Sequence, residues 1–209
     1  MKDDYGYGVK GWRGVGWLSL EDAYLRYEKF SEWLARGSII FDVGCGNGLF
    51  YEYLITVRPD LNIDYYGIEM RKAFLDEFIR RFPEIEFRVI WGDFFKEPLK
   101  STFDVVVAIG LTPDFDEKNK YRDLKKFLDK ATQLAEKMII FDCLEEPFIE
   151  MLSADNKKEE KDDEGGIPPT RFNPVKVFEY FLLFYADDWI LTFEKPVVSD
   201  DFLVIMVKK

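Results

Sequence analysis

The segment Ile39-Ile40-Phe41-Asp42-Val43-Gly44-Cys45-Gly46-Asn47-Gly48 joins an apolar run to three alternating glycines, and a helical pattern follows it. The apolar run predicts a buried strand at 39–43. Glycines at such a turn let the backbone come close to a ligand, and the N–H groups at the start of the following helix can bind it. An ordinary strand-to-helix turn rarely uses three alternating glycines. The segment therefore predicts a binding turn rather than a plain connection.

Short apolar runs alternate with helix-period segments along much of the chain. This alternation is typical of a parallel sheet whose strands are joined by right-handed crossover helices. The predicted fold class is therefore α/β, with a doubly wound, mostly parallel sheet. The strands are expected at 39–43, 63–68, 86–90, 103–108 and 138–142, and the helices at 19–35, 48–57, 71–82 and 118–136.

The C-terminal part of the chain predicts a helix followed by two strands. Asn173 and Pro174 are typical of an N-cap and a first helical position, although the apolar run 178–185 leaves a strand open as an alternative. The runs 189–195 and 202–208 are close enough in sequence to pair as an antiparallel hairpin. We expect this hairpin at the edge of the sheet.

Two segments interrupt this pattern. Residues 1–17 interleave five glycines with tyrosines and tryptophans, which favours a loop, and residues 1–36 are expected to form an N-terminal segment plus helix that could act as a lid. Residues 144–172 contain the charged run KKEEKDDE at 157–164, followed by glycines and prolines, which indicates an insertion of loop composition. Residues 37–209 are otherwise expected to form one domain.

The composition excludes several kinds of chemistry. The 209 residues include no histidine and two cysteines, so we expect no Ser–His or Cys–His catalysis and no metal site. A net charge of −11 disfavours nucleic acid as a partner. Unpaired cysteines and the absence of an apolar run of membrane length favour a cytoplasmic protein without a membrane partner. The 33% of charged residues is compatible with a heat-adapted proteome.

Two acidic residues stand at strand ends behind the glycine turn. Glu69 ends the predicted second strand, close to the ~20-residue offset at which a nucleotide-binding fold places an acid for the ribose diol. Asp93 leaves the third strand at the same edge, where its carboxylate could accept a hydrogen bond from an adenine amine. Each acid alone is typical of a solvated strand end, but the pair together with the glycine turn favours a nucleoside site.

The segment Asp42–Gly48, with Glu69 and Asp93, resembles the first motif and the two cofactor-binding acids of the class I S-adenosylmethionine-dependent methyltransferases. The resemblance covers roughly residues 36–143. It implies a seven-stranded sheet with an antiparallel last strand, and S-adenosylmethionine as the cofactor. It also implies cofactor contacts from the glycine turn and the strand ends: Asp42, Gly44, Cys45, Gly46, Gly48, Glu69, Met70, Asp93, Phe94, Ile109 and Gly110.

Three alternatives stay open at this point. A nicotinamide dinucleotide fold needs G-x-G-x-x-G, and here Leu49 stands where the third glycine would be. An aminopropyl transferase typically has a further glycine where this chain has Cys45. A catalytically silent member of the same family would bind the cofactor without turning it over.

Methyl transfer from a sulfonium is an in-line displacement, to which a protein contributes mainly by holding the reacting atoms in line. Where the acceptor must lose a proton, Asp114 and Asp116 after the fourth strand are the predicted catalytic residues, because ligands in such sheets lie at the carboxyl ends of strands. The segment Leu111–Asp114 matches poorly the Asp-Pro-Pro-Tyr sequence of amino-directed methyltransferases. Together with the net charge, this mismatch favours a small molecule or a protein side chain as methyl acceptor.

Overall fold

The computed structural model describes residues 19–146, 169–195 and 201–209. Helices and strands alternate through most of this part of the chain. Its helices are α1 (Leu20–Glu32), α2 (Leu49–Thr56), α3 (Lys72–Arg81), α4 (Lys120–Leu134) and α5 (Pro174–Phe184). Its strands are β1 (Ile39–Val43), β2 (Asp64–Glu69), β3 (Val89–Trp91), β4 (Phe103–Ala108), β5 (Ala135–Glu145), β6 (Arg171–Phe172), β7 (Trp189–Glu194) and β8 (Asp201–Lys208).

The strands form one sheet in the order β3-β2-β1-β4-β5-β8-β7, with β6 paired to the end of β5. Strands β1 to β5 are parallel to one another, whereas β8 is antiparallel to both β5 and β7. The α/β, mostly parallel fold class and the antiparallel C-terminal hairpin are therefore confirmed. The strand order reverses between β1 and β4, and in such sheets ligands bind in the crevice that opens there at the carboxyl ends of the strands.

Both faces of the sheet are covered by helices. Phe30 of α1, Phe50 of α2 and Phe78 of α3 are buried on one face. On the other face, Phe127 of α4 and Phe181 of α5 are buried. The central strands are apolar on both sides as a result, which explains why their sequences read as continuous β-branched runs rather than as an alternation.

The predicted start of the C-terminal helix is confirmed at Asn173. Its Oδ1 atom accepts a hydrogen bond from Val175 N at 2.9 Å, and Pro174 occupies the first helical position. The apolar run that left a strand open is helical as far as Phe184. The N-cap side chain and the fixed φ of proline start a helix that the apolar composition alone does not predict.

Three elements differ from the sequence-based prediction. The third strand is shorter and later than 86–90, because a 3₁₀ helix over Pro83–Arg88 buries Ile85 first and leaves only Val89–Trp91 to pair with β2. Strand β5 extends beyond 138–142, since β4, β6 and β8 all pair with it. The eighth strand, β6, lies inside the segment that was predicted as a loop insertion.

The predicted aromatic and glycine-rich segment at 1–17 lies outside the described residues, as do residues 147–168 of the predicted insertion. Within the described ranges, no helix combines the length and the apolar character needed to cross a membrane.

Candidate functional site

The glycine turn after β1 has a backbone that favours glycine. Gly44, Gly46 and Gly48 have φ angles of 81°, 57° and 83°, in the left-handed region that side chains with a Cβ rarely adopt. A Cβ atom on Gly48 would also lie 2.7 Å from Cγ of Phe78, which is too close. Gly48 is therefore required by packing against α3 as well as by the turn.

The turn is tied to the neighbouring strand β2 by hydrogen bonds. The backbone N–H groups of Gly44 and Cys45 donate to the carbonyl oxygen of Ile68, at 2.9 and 3.1 Å. Gly46 N donates to Oε2 of Glu69 at 2.9 Å. The glycine turn and the acid that the sequence singled out are thus directly bonded to each other.

Glu69 is the last residue of β2, and its side chain lies between the end of β2 and the turn after β1. Its Oε1 accepts a hydrogen bond from Arg71 N at 2.7 Å, and the residue is 6% exposed. Burial raises the pKa of Glu69, and the hydrogen bonds from Arg71 N and Gly46 N oppose that rise. An ionised carboxylate has about four acceptor positions, so two hydrogen bonds to the backbone leave capacity for a diol.

Asp42 lies at the end of β1, beneath the turn and 2% exposed. Its Oδ2 accepts a hydrogen bond from the Tyr65 hydroxyl at 2.5 Å. Burial raises the pKa of Asp42 to about 7, against the lowering effect of the Tyr65 hydrogen bond. Asp42 is therefore bonded to Tyr65 of β2, and its ionisation depends on pH in the neutral range.

Cys45 faces inward rather than toward the crevice. A Cβ atom on Gly67 would lie 3.0 Å from Cβ of Cys45, so Gly67 makes room for the cysteine side chain. Burial raises the pKa of the Cys45 thiol well above its usual value. The side chain packs as a small apolar group, and only the backbone of Cys45 belongs to the turn.

Asp93 follows β3 and shapes the next loop. Its Oδ1 accepts a hydrogen bond from Phe95 N at 2.9 Å, and its Oδ2 forms an ion pair with Lys96 at 2.8 Å. Partial burial works against the ionised form, but Lys96 and the Phe95 N–H lower the pKa of Asp93. The ring of Phe94 is buried among the core aromatic residues, so this predicted contact residue points away from solvent.

Exposed apolar side chains surround this end of the crevice. Met70 is 64% exposed and Trp91 is 59% exposed, and Trp91 Nε1 donates to the Met70 carbonyl at 3.1 Å. Phe95 is also exposed. Trp91 and Phe95 are absent from the set that the sequence indicated. The signal for them is available in the sequence, as large aromatic residues on either side of Gly92-Asp93 at a strand end.

The tip of β4 carries Ile109 and Gly110. Gly110 has a φ angle of 71°, and its N–H donates to Oδ1 of Asp142 at 2.8 Å. Asp142 is buried in β5 and is a further residue that the sequence did not indicate. The backbone at the tip of β4 is thus held by an acid on the adjacent strand.

The two acids predicted as catalytic have different surroundings. Asp114 forms an ion pair through Oδ2 with Nη2 of Arg71 at 2.7 Å, and burial raises its pKa although Arg71 opposes this. Asp116 is bonded through Oδ2 to Asn119 Nδ2 at 2.6 Å and through Oδ1 to Lys118 N, contacts that lower its pKa. Asp114 therefore faces the crevice edge, whereas Asp116 caps the turn before α4.

Several solved structures share this fold at low sequence identity. The protein PH0226 from Pyrococcus horikoshii OT3 has a TM-score of 0.68 and 15% identity, with 93% of each chain covered. Magnesium protoporphyrin IX methyltransferase from Synechocystis PCC 6803, solved with S-adenosylhomocysteine, has a TM-score of 0.60 and 12% identity, covering 98% of this chain and 91% of that one. The glycopeptide N-methyltransferase MtfA, complexed with the same ligand, has a TM-score of 0.64 and 14% identity, covering 90% of both chains.

Sequence comparison identifies the family. No curated protein matches the chain. The family described as "Methyltransferase domain" matches residues 34–181, which is more than half of the chain, and none of these comparisons supports a nicotinamide oxidoreductase. The chain therefore belongs to the class I family of S-adenosylmethionine-dependent methyltransferases.

Proposed function

We propose that this methyltransferase acts in the cytoplasm on a small molecule or a protein side chain, with S-adenosylmethionine bound at the carboxyl ends of β1, β2 and β4. The observation that carries this placement is the hydrogen bond from Gly46 N to Glu69 Oε2. It joins the turn that would face the methionine portion to the acid that would hold the ribose. One ligand that spans both groups is an adenosyl sulfonium.

The two ends of the cofactor would meet different environments. Glu69 would accept hydrogen bonds from the ribose hydroxyl groups, because its remaining acceptor positions suit a diol. Asp93 would accept from the adenine amine, with Met70, Trp91 and Phe95 offering apolar contact to the base. The methionine portion would lie along Gly44, Gly46 and Gly48. Asp42 would attract its ammonium group from beneath the turn.

The acceptor would approach at the tip of β4. Ile109 and Gly110 would line the reacting face there, and Asp114 would accept a proton from an acceptor that must lose one. Desolvation disfavours the charged form of Asp114, although its side chain is 44% exposed, and Arg71 favours it. The net rise in the pKa of Asp114 makes its carboxylate a stronger base than an ordinary aspartate. The contacts of Asp116 support a structural role instead.

Two proteins of similar fold support the proposed acceptor class. One is named as a magnesium protoporphyrin IX methyltransferase and the other as a glycopeptide N-methyltransferase. A net charge of −11 disfavours a polyanion such as RNA. A screen with methyl-labelled cofactor against cell extract, separated into metabolites, proteins and RNA, tests this directly. Label in the RNA fraction alone would contradict the proposed acceptor class.

Calorimetry with S-adenosylhomocysteine tests the cofactor site. Glu69→Ala should weaken binding at least tenfold, since hydrogen bonds to a charged group contribute roughly 1.5–3 kcal/mol. Glu69→Gln, which keeps an acceptor for one backbone amide, should lose less. Glu136→Ala is a matched control, because Glu136 lies at the start of β5, far along the strand from the carboxyl ends where the cofactor is placed. Unchanged affinity in a folded Glu69→Ala variant would exclude the ribose role.

A further inference from the structure

The helix α1 reaches the reacting edge of the sheet through Arg26. Its guanidinium lies 3.5 Å from Oδ2 of Asp142 on β5 and 3.9 Å from Oδ1 of Asp22 one turn earlier on α1. It also forms an ion pair with Asp201 at the start of β8. One arginine thus holds three carboxylates, and its side chain is only 10% exposed.

Asp142 connects Arg26 to the tip of β4 by two hydrogen bonds. Its second oxygen, Oδ1, accepts the hydrogen bond from Gly110 N, and its backbone carbonyl accepts one from the Thr112 hydroxyl at 2.7 Å. Between these two residues, Leu111 lies against the glycine turn, with Cδ1 3.6 Å from where a Cβ on Gly44 would be. A chain of contacts therefore runs from α1 to the tip of β4, and Leu111 there lies next to the turn after β1.

The positive charge of Arg26 compensates the negative charges of the buried Asp142 and Asp201. Burial raises the pKa of Asp142, while Arg26 and the Gly110 N–H lower it. Asp201 is equally buried, and among the described residues the other charged groups near the cluster are Asp22 and Lys29 of α1, of which Lys29 is paired with Glu32. Without Arg26, two buried carboxylates would face each other with little compensation. An ionised Asp142 is also the stronger acceptor for the Gly110 amide.

We propose that Arg26 is a positioning residue for methyl transfer: through Asp142 it fixes the tip of β4, where the acceptor meets the cofactor. The positioning of the β4 tip is inferred from the Arg26–Asp142–Gly110 contacts. Its effect on methyl transfer rests on the proposed function. Arg26 itself touches neither cofactor nor acceptor in this scheme. Its effect is transmitted by the position of Gly110 and Leu111.

Two measurements on the whole chain test it. The first follows the amide signal of Gly110 by NMR as a function of pH, since this N–H is bonded to the Asp142 carboxylate and reports its ionisation. The second is the affinity for S-adenosylhomocysteine. The variants are Arg26→Met and the conservative Arg26→Lys. Arg80→Met is the matched control, because Arg80 is likewise paired with a buried carboxylate, Glu77, but within α3.

Arg26→Met should move the Gly110 titration to higher pH by about one unit, as expected for loss of a neighbouring opposite charge. It should also weaken S-adenosylhomocysteine about tenfold. Arg26→Lys should restore most of both effects, and Arg80→Met should show neither. A Gly110 titration in Arg26→Met that overlays the wild type would overturn the inference. A shifted titration with unchanged affinity and an unchanged rate of methyl transfer to the extract fraction that accepts label would overturn it as well. Failure of the wild type to bind the ligand would instead refute the proposed function.

Discussion

Arg71 at the end of β2 and Asp114 after β4 form an ion pair of 2.7 Å. Strand β1 and its glycine turn lie between these two strands. The pair therefore connects the two sides of the crevice across the proposed cofactor position. Arg71 also bonds Glu69 through its backbone N–H, so one residue contacts both the proposed ribose ligand and the proposed proton acceptor.

Asp114→Asn should lower turnover roughly 10²-fold without weakening S-adenosylhomocysteine, because loss of a general base affects the chemical step. The assay is methyl transfer to whichever extract fraction accepts label. Asp116→Asn is the matched control and should keep at least half of the wild-type rate, since Asp116 caps a turn. Equal losses in the two variants would argue against a distinct role for Asp114.

The ionisation of Asp42 should make stability depend on pH. Its folded-state pKa of about 7 exceeds its ordinary value of 3.8, so the folded protein holds this proton more tightly than the unfolded chain. The contribution of Asp42 to the free energy of unfolding is therefore most favourable below pH 4, falls between about pH 4 and 7, and is constant above. The total loss is roughly 4 kcal/mol.

Asp42→Asn removes this titration and keeps an acceptor for the Tyr65 hydroxyl. As pH rises from 4 to 7, the wild type should lose stability relative to the variant, so the free energy of unfolding of Asp42→Asn minus that of the wild type should increase. Urea denaturation at several pH values measures this difference. The difference between the two proteins isolates Asp42 from the other buried acids. A difference that stays constant over this range would mean that Asp42 is ionised throughout. Asp76→Asn, at an exposed ion pair with Lys72, serves as control.

Gly48→Ala should destabilise the fold by roughly 2–4 kcal/mol, combining a left-handed backbone with overlap of the Phe78 ring. Gly37→Ala provides the matched comparison. Gly37 has a φ angle of 78°, but a Cβ there would meet nothing within 4 Å, so its cost should be about 1 kcal/mol. Chemical denaturation of both variants gives the difference, and similar losses would show that packing against α3 contributes nothing.

Trp91→Ala should weaken S-adenosylhomocysteine about fivefold by removing an aromatic contact next to Met70. Phe87→Ala is the control, since Phe87 is another exposed aromatic residue and lies one turn before β3. Isothermal titration compares both with the wild type. If the Trp91 and Phe87 variants bind alike, Trp91 is not part of the adenine side of the site.

The sequence predicts the central strands well because burial on both faces leaves an unmistakable apolar run, as at Val105 and Val106, which face opposite layers. It predicts β3 poorly. Glu86-Phe87-Arg88 has the composition of a strand, but Pro83 starts a 3₁₀ helix in which Phe87 stays exposed. Local propensity there is overridden by the burial of Ile85.

The prominent residues of the candidate site were readable from the sequence, but their partners were not. Glu69 and the glycine turn follow from spacing along one strand and its turn. Arg26, Arg71 and Asp142 act through contacts between segments far apart in the chain, such as Arg26 with Asp142 and Arg71 with Asp114. No periodicity or local motif encodes such pairs, since they depend on the order of strands in the sheet.

The order of the C-terminal strands has a consequence for biosynthesis. Strand β7 leaves the ribosome before β8, yet among the strands of the described residues it pairs with β8 alone and lies outside it in the sheet. A nascent chain that has emerged only as far as Glu194 therefore presents β7 without a partner, and β5 with an open edge beside it. Until β8 inserts between them, both strands have unpaired edges that can pair with other chains and cause aggregation. A chaperone would be most needed during this interval.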